Sequence, residues 1–197
     1  MYNPVRTVAP VIKPVTRTEV KAALDIGYTD KDTLIDGLIA AATSHFESIL
    51  ERSLCEQTWS QSFDEVCGTL PLSMGPVISI TSVKYLDADG VEQTIDPVNY
   101  GLISTGMKSS VRFISGYTAP TLYATSPAVS VVFKAGYANG GSDPNFTSTV
   151  PDNIRQAMFL LIRQWFDNPS AAAVGVTVEK MPNAVDALLS PYRPMNV

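Results

Sequence analysis

Apolar positions change their spacing along the chain, and each change predicts a different kind of element. Residues 1–15 set Pro4, Pro10 and Pro14 among Val5, Val8, Val11, Ile12 and Val15. Proline fixes φ and removes an amide donor, so this stretch predicts an extended arm. Its valines can line a strand, or the arm can dock on a neighbouring subunit by edge pairing. Thr16 and Glu19 then stand at capping-box spacing before Val20, Ala22, Ala23 and Leu24, a short helix closed near Gly27. Asp30 is the expected N-cap of a longer helix. In it Leu34, Ile35, Leu38, Ile39, Ala42, Phe46, Ile49 and Leu50 recur every three or four residues. Its polar face carries Asp32, Asp36, Glu47 and Glu51.

The period then shortens to two. Thr58–Phe63 alternates, with Trp59 and Phe63 on one side, and Val77–Leu86 is rich in β-branched residues. Asp89-Gly90 is a hairpin turn signal ahead of Val91–Ile95. Val98–Ile103, Val111–Ile114 and Ala128–Phe133 extend an antiparallel region of about five or six strands. Gly136–Thr149 reads as a loop. After Pro151, Asp152 opens a second strong helix with an apolar stripe of Ile154, Ala157, Met158, Leu161, Ile162, Trp165 and Phe166, expected to be buried on most sides. Asn168-Pro169 ends it, and Ser170–Val178 reads as a mobile loop. Asn183–Ser190 is a short helix capped by Asn183. The expected fold is α+β: a helical bundle, built from a long helix in the N-terminal half and C-terminal helices, with an inserted antiparallel β region. Its expected organisation is an arm at 1–15 and one domain at 16–180. That domain is helical at 16–52, β at 53–150 and helical at 151–168, and a C-terminal tail follows at 181–197.

Composition narrows the chemistry. With 197 residues, of which 45% are hydrophobic, the chain can bury a core without disulfides or metals. A net charge of −5 argues against a dedicated nucleic-acid binder. That charge is uneven. Residues 1–18 carry three bases and no acid, and residues 19–96 carry 14 acids against 4 bases. Residues 97–197 carry 5 acids against 7 bases. Such asymmetry fits either a solvated face or parts that meet different partners. The first residues lack the apolar core of a secretory signal, and no run reaches the length of a spanning helix. A soluble protein made in a reducing cytoplasm is the expectation.

Catalytic equipment is sparse. His45 is the one histidine and falls beside an apolar helix stripe, so it reads as a rim residue and not a base. Cys55 and Cys67 are too few for a disulfide scaffold or a zinc site, and no C-x-x-C or G-x-S-x-G motif occurs. Asp87-Ala-Asp89-Gly90 resembles the middle of a calcium loop, but Tyr85 and Asp96 stand where its first ligand and its bidentate glutamate belong. The hairpin reading wins. Gly136–Gly141 has no Lys-Ser or Lys-Thr after it, and Asp64-Glu65 would point apart on a strand. Asn145-Phe-Thr147 reads as a polar turn. No enzyme, metal or cofactor is expected.

The order of the segments is more specific than any one of them. The long helix is followed by Arg52-Ser-Leu54, Gln57-Thr-Trp59, Gly75–Ile80 and Ser82–Asp87 with Asp89-Gly90. Asp96-Pro97, Tyr100, Phe133–Tyr137 and Val150–Ala157 come next, and the tail runs Met181-Pro-Asn-Ala-Val-Asp-Ala-Leu-Leu-Ser-Pro-Tyr-Arg193. Over residues 16–194 this resembles the gp6-like head–tail connector, or adaptor, family of tailed bacteriophages. The resemblance implies a structural protein that forms a ring of twelve copies below the portal ring, in the neck of a phage, a defective prophage or a gene-transfer particle. The implied partners are the portal protein, further copies of the chain, and a stopper or tail-completion protein. DNA would pass through the channel without sequence-specific binding, and no membrane is involved. Carried over by motif, the portal-facing residues are Val185, Leu188, Leu189, Tyr192 and Arg193. A short apolar helix of this kind suits docking in a groove, or equally covers the chain's own core. The competing functions are a β-rich tail or baseplate binding module and a small hydrolase whose pocket would join His45 to Cys55.

Overall fold

The computed structural model describes residues 2–66, 68–105, 108–168 and 183–193. The chain forms two compact units, Met1–Val11 with Cys55–Ala138 and Ile12–Leu54 with Asn139–Val197.

The first unit is built of β-strands with one 3₁₀ turn, Pro97–Asn99. Its strands are β1 (Val5–Val8), β2 (Gln57–Phe63), β3 (Thr69–Leu72), β4 (Val77–Leu86), β5 (Glu92–Thr94), β6 (Tyr100–Thr105), β7 (Lys108–Phe113) and β8 (Val129–Ala135). They make a five-stranded sheet in the order β1-β2-β8-β4-β5 and a three-stranded sheet in the order β3-β7-β6. Every pairing is antiparallel. At the centre of the larger sheet β8 alternates as a half-buried strand must. Val129, Val131, Phe133 and Ala135 point inward, and Lys134 is exposed. These side chains share one core with Phe63 of β2, Leu70 and Leu72 of β3, Val83 of β4 and Val111 of β7. Burying each large one contributes about 1.5–3 kcal/mol. Two register shifts bend β4 along its length.

Polar side chains also face inward from β2. Gln57 and Gln61 are 2% and 0% exposed, and each side-chain oxygen has a donor, while Gln61 Nε2 is buried without a partner. The Ser73 amide donates to Gln61 Oε1 at 3.0 Å, and Arg6 Nη1 donates to Gln57 Oε1 at 3.3 Å. The latter bond ties the arm to its neighbour strand: β1 pairs with β2 through Val5↔Ser60, Arg6↔Trp59 and Val8↔Thr58.

Gly136 closes the unit after β8. It has φ +115°, and a Cβ built there would lie 2.1 Å from the Cys55 carbonyl oxygen. Only glycine lets the backbone approach this closely at the Cys55–Tyr137 bridge. The Asp87–Val91 turn works through its first carboxylate. Asp87 Oδ1 accepts from the amides of Asp89 and Val91, and Oδ2 accepts from Gln93 Nε2. Those bonds, Gln93 first, hold the Asp87 carboxyl below its ordinary range.

The second unit is mainly helical. It contains α1 (Arg17–Leu24), α2 (Asp32–Leu50), a hairpin of β9 (Gly140–Ser142) with β10 (Asn145–Thr147), α3 (Asp152–Asp167) and α4 (Asn183–Leu189). The expected capping box starts α1: the Glu19 amide donates to Thr16 Oγ1, and Glu19 Oε2 accepts from the Thr16 amide at 2.7 Å. On α2 the buried face is Ile35, Ile39, Ala42, Phe46 and Leu50. Against α2, α1 and α4 packs α3, which buries Ile154, Ala157, Met158, Leu161 and Ile162.

Several expectations need correction. The molecule is not a helical bundle with an inserted β region. Two of its four described helices have only eight and seven residues, and the strands fold around a core of their own. The bundle expectation arose because helical periodicity is a strong signal. Strands such as Glu92-Gln-Thr94 and Asn145-Phe-Thr147 have no alternating apolar pattern to read. Seven strands, β2–β8, not five or six, occur among the described residues of the expected β stretch, and Gly136–Thr149, expected as a loop, carries the β9–β10 hairpin. Lys31, not Asp30, precedes α2, without a side-chain cap. The stripe of α3 leaves Leu160 exposed and Trp165 and Phe166 half-buried, so this helix is covered on one side only. Residues Ser170–Val178 lie outside the described residues.

Candidate functional site

The tail residues singled out by their motif divide into two groups. Val185 and Leu189, four apart on α4, are fully buried, and α4 packs against α3. Leu188 and Tyr192 are half-buried. A single 3₁₀ turn, Ser190–Tyr192, follows the helix and brings the chain back on itself. Arg193 Nη2 then bonds Asp186 Oδ1 at 2.6 Å, with both side chains more than two-fifths exposed. In the same turn Ser190 Oγ donates to the Ala187 carbonyl. Thus α4 is anchored by two aliphatic side chains, and it presents Leu188, Tyr192 and the Arg193–Asp186 pair outward. Periodicity alone could not separate these groups, because Val185, Leu188 and Leu189 fit one stripe.

The exit from α2, Arg52-Ser-Leu54, is structural as well. Glu51 takes a left-handed conformation at φ 50°, and Arg52, Ser53 and Leu54 are all buried. Glu47, expected on the polar face, is instead 9% exposed and accepts from the Leu54 amide at 2.9 Å. It satisfies a donor that the turn would otherwise orphan.

Some acids of residues 19–96 are paired with nearby bases. Asp32 pairs with Lys21 at 2.8 Å and with Arg17, while Asp36 pairs with Lys13 at 3.2 Å and with Arg17. These bonds hold both carboxyls below their ordinary range, Lys21 acting most on Asp32 and Arg17 most on Asp36. Glu19 pairs with Arg155. Burial alone would raise the Glu19 carboxyl, but the Thr16 amide and hydroxyl with Arg155 outweigh it and leave it lowered. In the β unit Glu56 pairs with Lys134 and Glu92 with Lys84.

Candidate catalytic groups are scattered. His45 is exposed, with its ring 6.0 Å from Trp165 and 6.2 Å from Phe46, and Cys55 is buried. An open cleft in the β unit is lined by Ser62, Lys84, Tyr85, Glu92 and Ser130, and neither His45 nor Cys55 reaches it. Among the described residues no group of three histidine, cysteine or acidic side chains is placed to hold a metal, and no helix is long and apolar enough to cross a membrane.

Extended sheets and packed helices define an α+β chain. The same fold recurs in chains from assembled particles. One comes from the neck of an empty gene transfer agent (GTA) particle computed with C6 symmetry, with a TM-score of 0.78 and 20% identity. Another comes from the virion of a native GTA particle, with a TM-score of 0.78 and 19% identity. Both likenesses cover 100% of this chain and 97% of the other. A chain from the neck of a native GTA particle computed with C12 symmetry gives 0.68 and 21%, over 97% of each chain. No curated protein sequence matches. Residues 16–118 match the phage gp6-like head–tail connector protein family, and the chain belongs to that family. It is a structural head–tail connector protein.

Proposed function

We propose that this chain works as an adaptor ring in the neck of a phage-like particle. Twelve copies sit below the portal ring, lengthen its DNA channel and present a platform to a stopper or tail-completion protein. The observation that carries this reading is the fold shared end to end with chains of GTA particles, one from a neck computed with C12 symmetry. A net charge of −5 suits a channel wall that does not hold the passing phosphates.

Residues 181–197 are the portal-docking segment. Within it Val185 and Leu189 fix the helix to its own unit, and Leu188, Tyr192 and Arg193 make the contact. Deleting the whole tail would therefore strip α3 of its cover and confound assembly with folding. A surface variant separates the two. Leu188→Ser combined with Arg193→Gln should lower the thermal melt of the parent chain only slightly, because the Arg193–Asp186 pair is exposed, while the connector disappears from purified particles. Normal head–tail joining by that variant would refute the portal-docking role.

A further inference from the structure

The five-stranded sheet ends in two unlike edges. Beyond β1, on one side, and beyond β5, on the other, no strand follows among the described residues. An open edge presents unpaired amides and carbonyls to any strand that can reach it. On the β1 side the arm exposes Val5 at 65%, Val8 at 56% and Val11 at 70%, and Arg6 is the only charged side chain in residues 2–11. On the β5 side Val91 is 54% exposed, and the Tyr123 ring lies beside Gly90 in the preceding turn. There residues 87–96 contain Asp87, Asp89, Glu92 and Asp96 and no base, and Lys84 of β4, paired with Glu92, offsets one of the four.

We infer that neighbouring copies join head to tail, with β1 of one copy laid along β5 of the next. The occupant of each edge is a second copy of this chain, and the inference rests on the ring reading above. Charge selects that pairing over the alternatives. Two β1 edges would set Arg6 against Arg6, and two β5 edges would set acid against acid; like charges across a strand pair destabilise it. The mixed pairing brings the basic, valine-bearing edge to the acidic one and covers apolar surface on both. A heterologous contact of this kind leaves a fresh edge at each end, so it propagates until rotation closes a ring.

The contact is also self-limiting. Pro4 and Pro10 flank β1 and confine pairing to the residues between them. Four residues against three bury far less than the roughly 1,000 Å² of an interface that stands alone. Such edges join only when copies are already gathered on a template, which raises their effective concentration. The free chain is then a monomer.

Thiol cross-linking within particles tests the inference. Val5→Cys and Thr94→Cys are placed in one chain, particles carrying it are treated with a short bismaleimide, and the products are separated by size. In a Cys67→Ser background the double variant should give a ladder of multimers and lose its monomer band, while the background chain and each single variant stay monomeric. Val8→Cys with Val91→Cys is the second pair, used if the first lowers the melting temperature of the chain. Particles that contain the connector but give no ladder with either pair overturn the edge contact and leave the ring reading intact. Particles that lack the connector altogether overturn the ring reading, and the edge contact falls with it.

Discussion

The β unit and the helical unit are held together by opposite means. In the β unit, strands far apart in sequence pair side by side: β2 pairs with β8 from Gln57↔Ala135 to Phe63↔Val129. Its stability resides in one shared core and in a backbone crossing that only glycine permits. The helical unit begins from local devices. Thr16 and Glu19 cap α1, Lys13, Arg17 and Lys21 reach the acids of α2, and Glu47 caps the exit of its own helix. The difference teaches where each unit has capacity to spare. A sheet satisfied in its interior is left with two open edges. A set of helices satisfied by internal charge pairing is left with the outward face of α4.

The largest effect belongs to the β unit. Gly136→Ala would place a methyl group where the Cys55 carbonyl stands, in addition to the roughly 1–3 kcal/mol of backbone strain at a disfavoured φ. Urea unfolding should show a loss well above about 3 kcal/mol, or no folded chain. A loss below about 1 kcal/mol would mean that the crossing can relax and that the β unit is not held there.

A smaller effect separates off the helical unit. Thr16→Ala removes half of the capping box and should cost about 1 kcal/mol near neutral pH. The partner carboxyl, Glu19, is lowered in the folded chain. Its stabilisation is therefore present above its ordinary value of 4.5 and is lost as pH falls through the lowered folded value. The cost of Thr16→Ala should thus shrink when urea midpoints are measured again at about pH 3, below the usual carboxylate range. An undiminished cost there would remove Glu19 from the clamp.

The legible parts of the fold were those with local chemistry. The α1 capping box, the α2 and α3 stripes, the Asp89-Gly90 turn and the long β4 all carry their instructions within a few residues. Others do not. β3 contains Pro71, and β9 and β10 are built of Gly-Gly-Ser and Asn-Phe-Thr, so only their pairing makes them strands. Glu47 reads as solvent-facing by helical phase, and its burial depends on a chain reversal four residues later. In the tail, the motif marked Val185, Leu188, Leu189, Tyr192 and Arg193 together. What sorted them was the packing of α4 on α3, which no spacing in a seven-residue helix encodes. The fold also reduces the charge asymmetry in one place. Bases from the first eighteen residues neutralise acids of the next block, so the acidic stretch is not one bare face.

The central claim is that this chain is the connector between head and tail, and its position in the particle tests that claim most directly. Particles carrying a compact tag after Val197 should be imaged by electron microscopy with a tag-specific label. Label confined to the neck, just below the portal, is the expected result. Label along the tail tube or at the distal tip, with a bare neck, would contradict it.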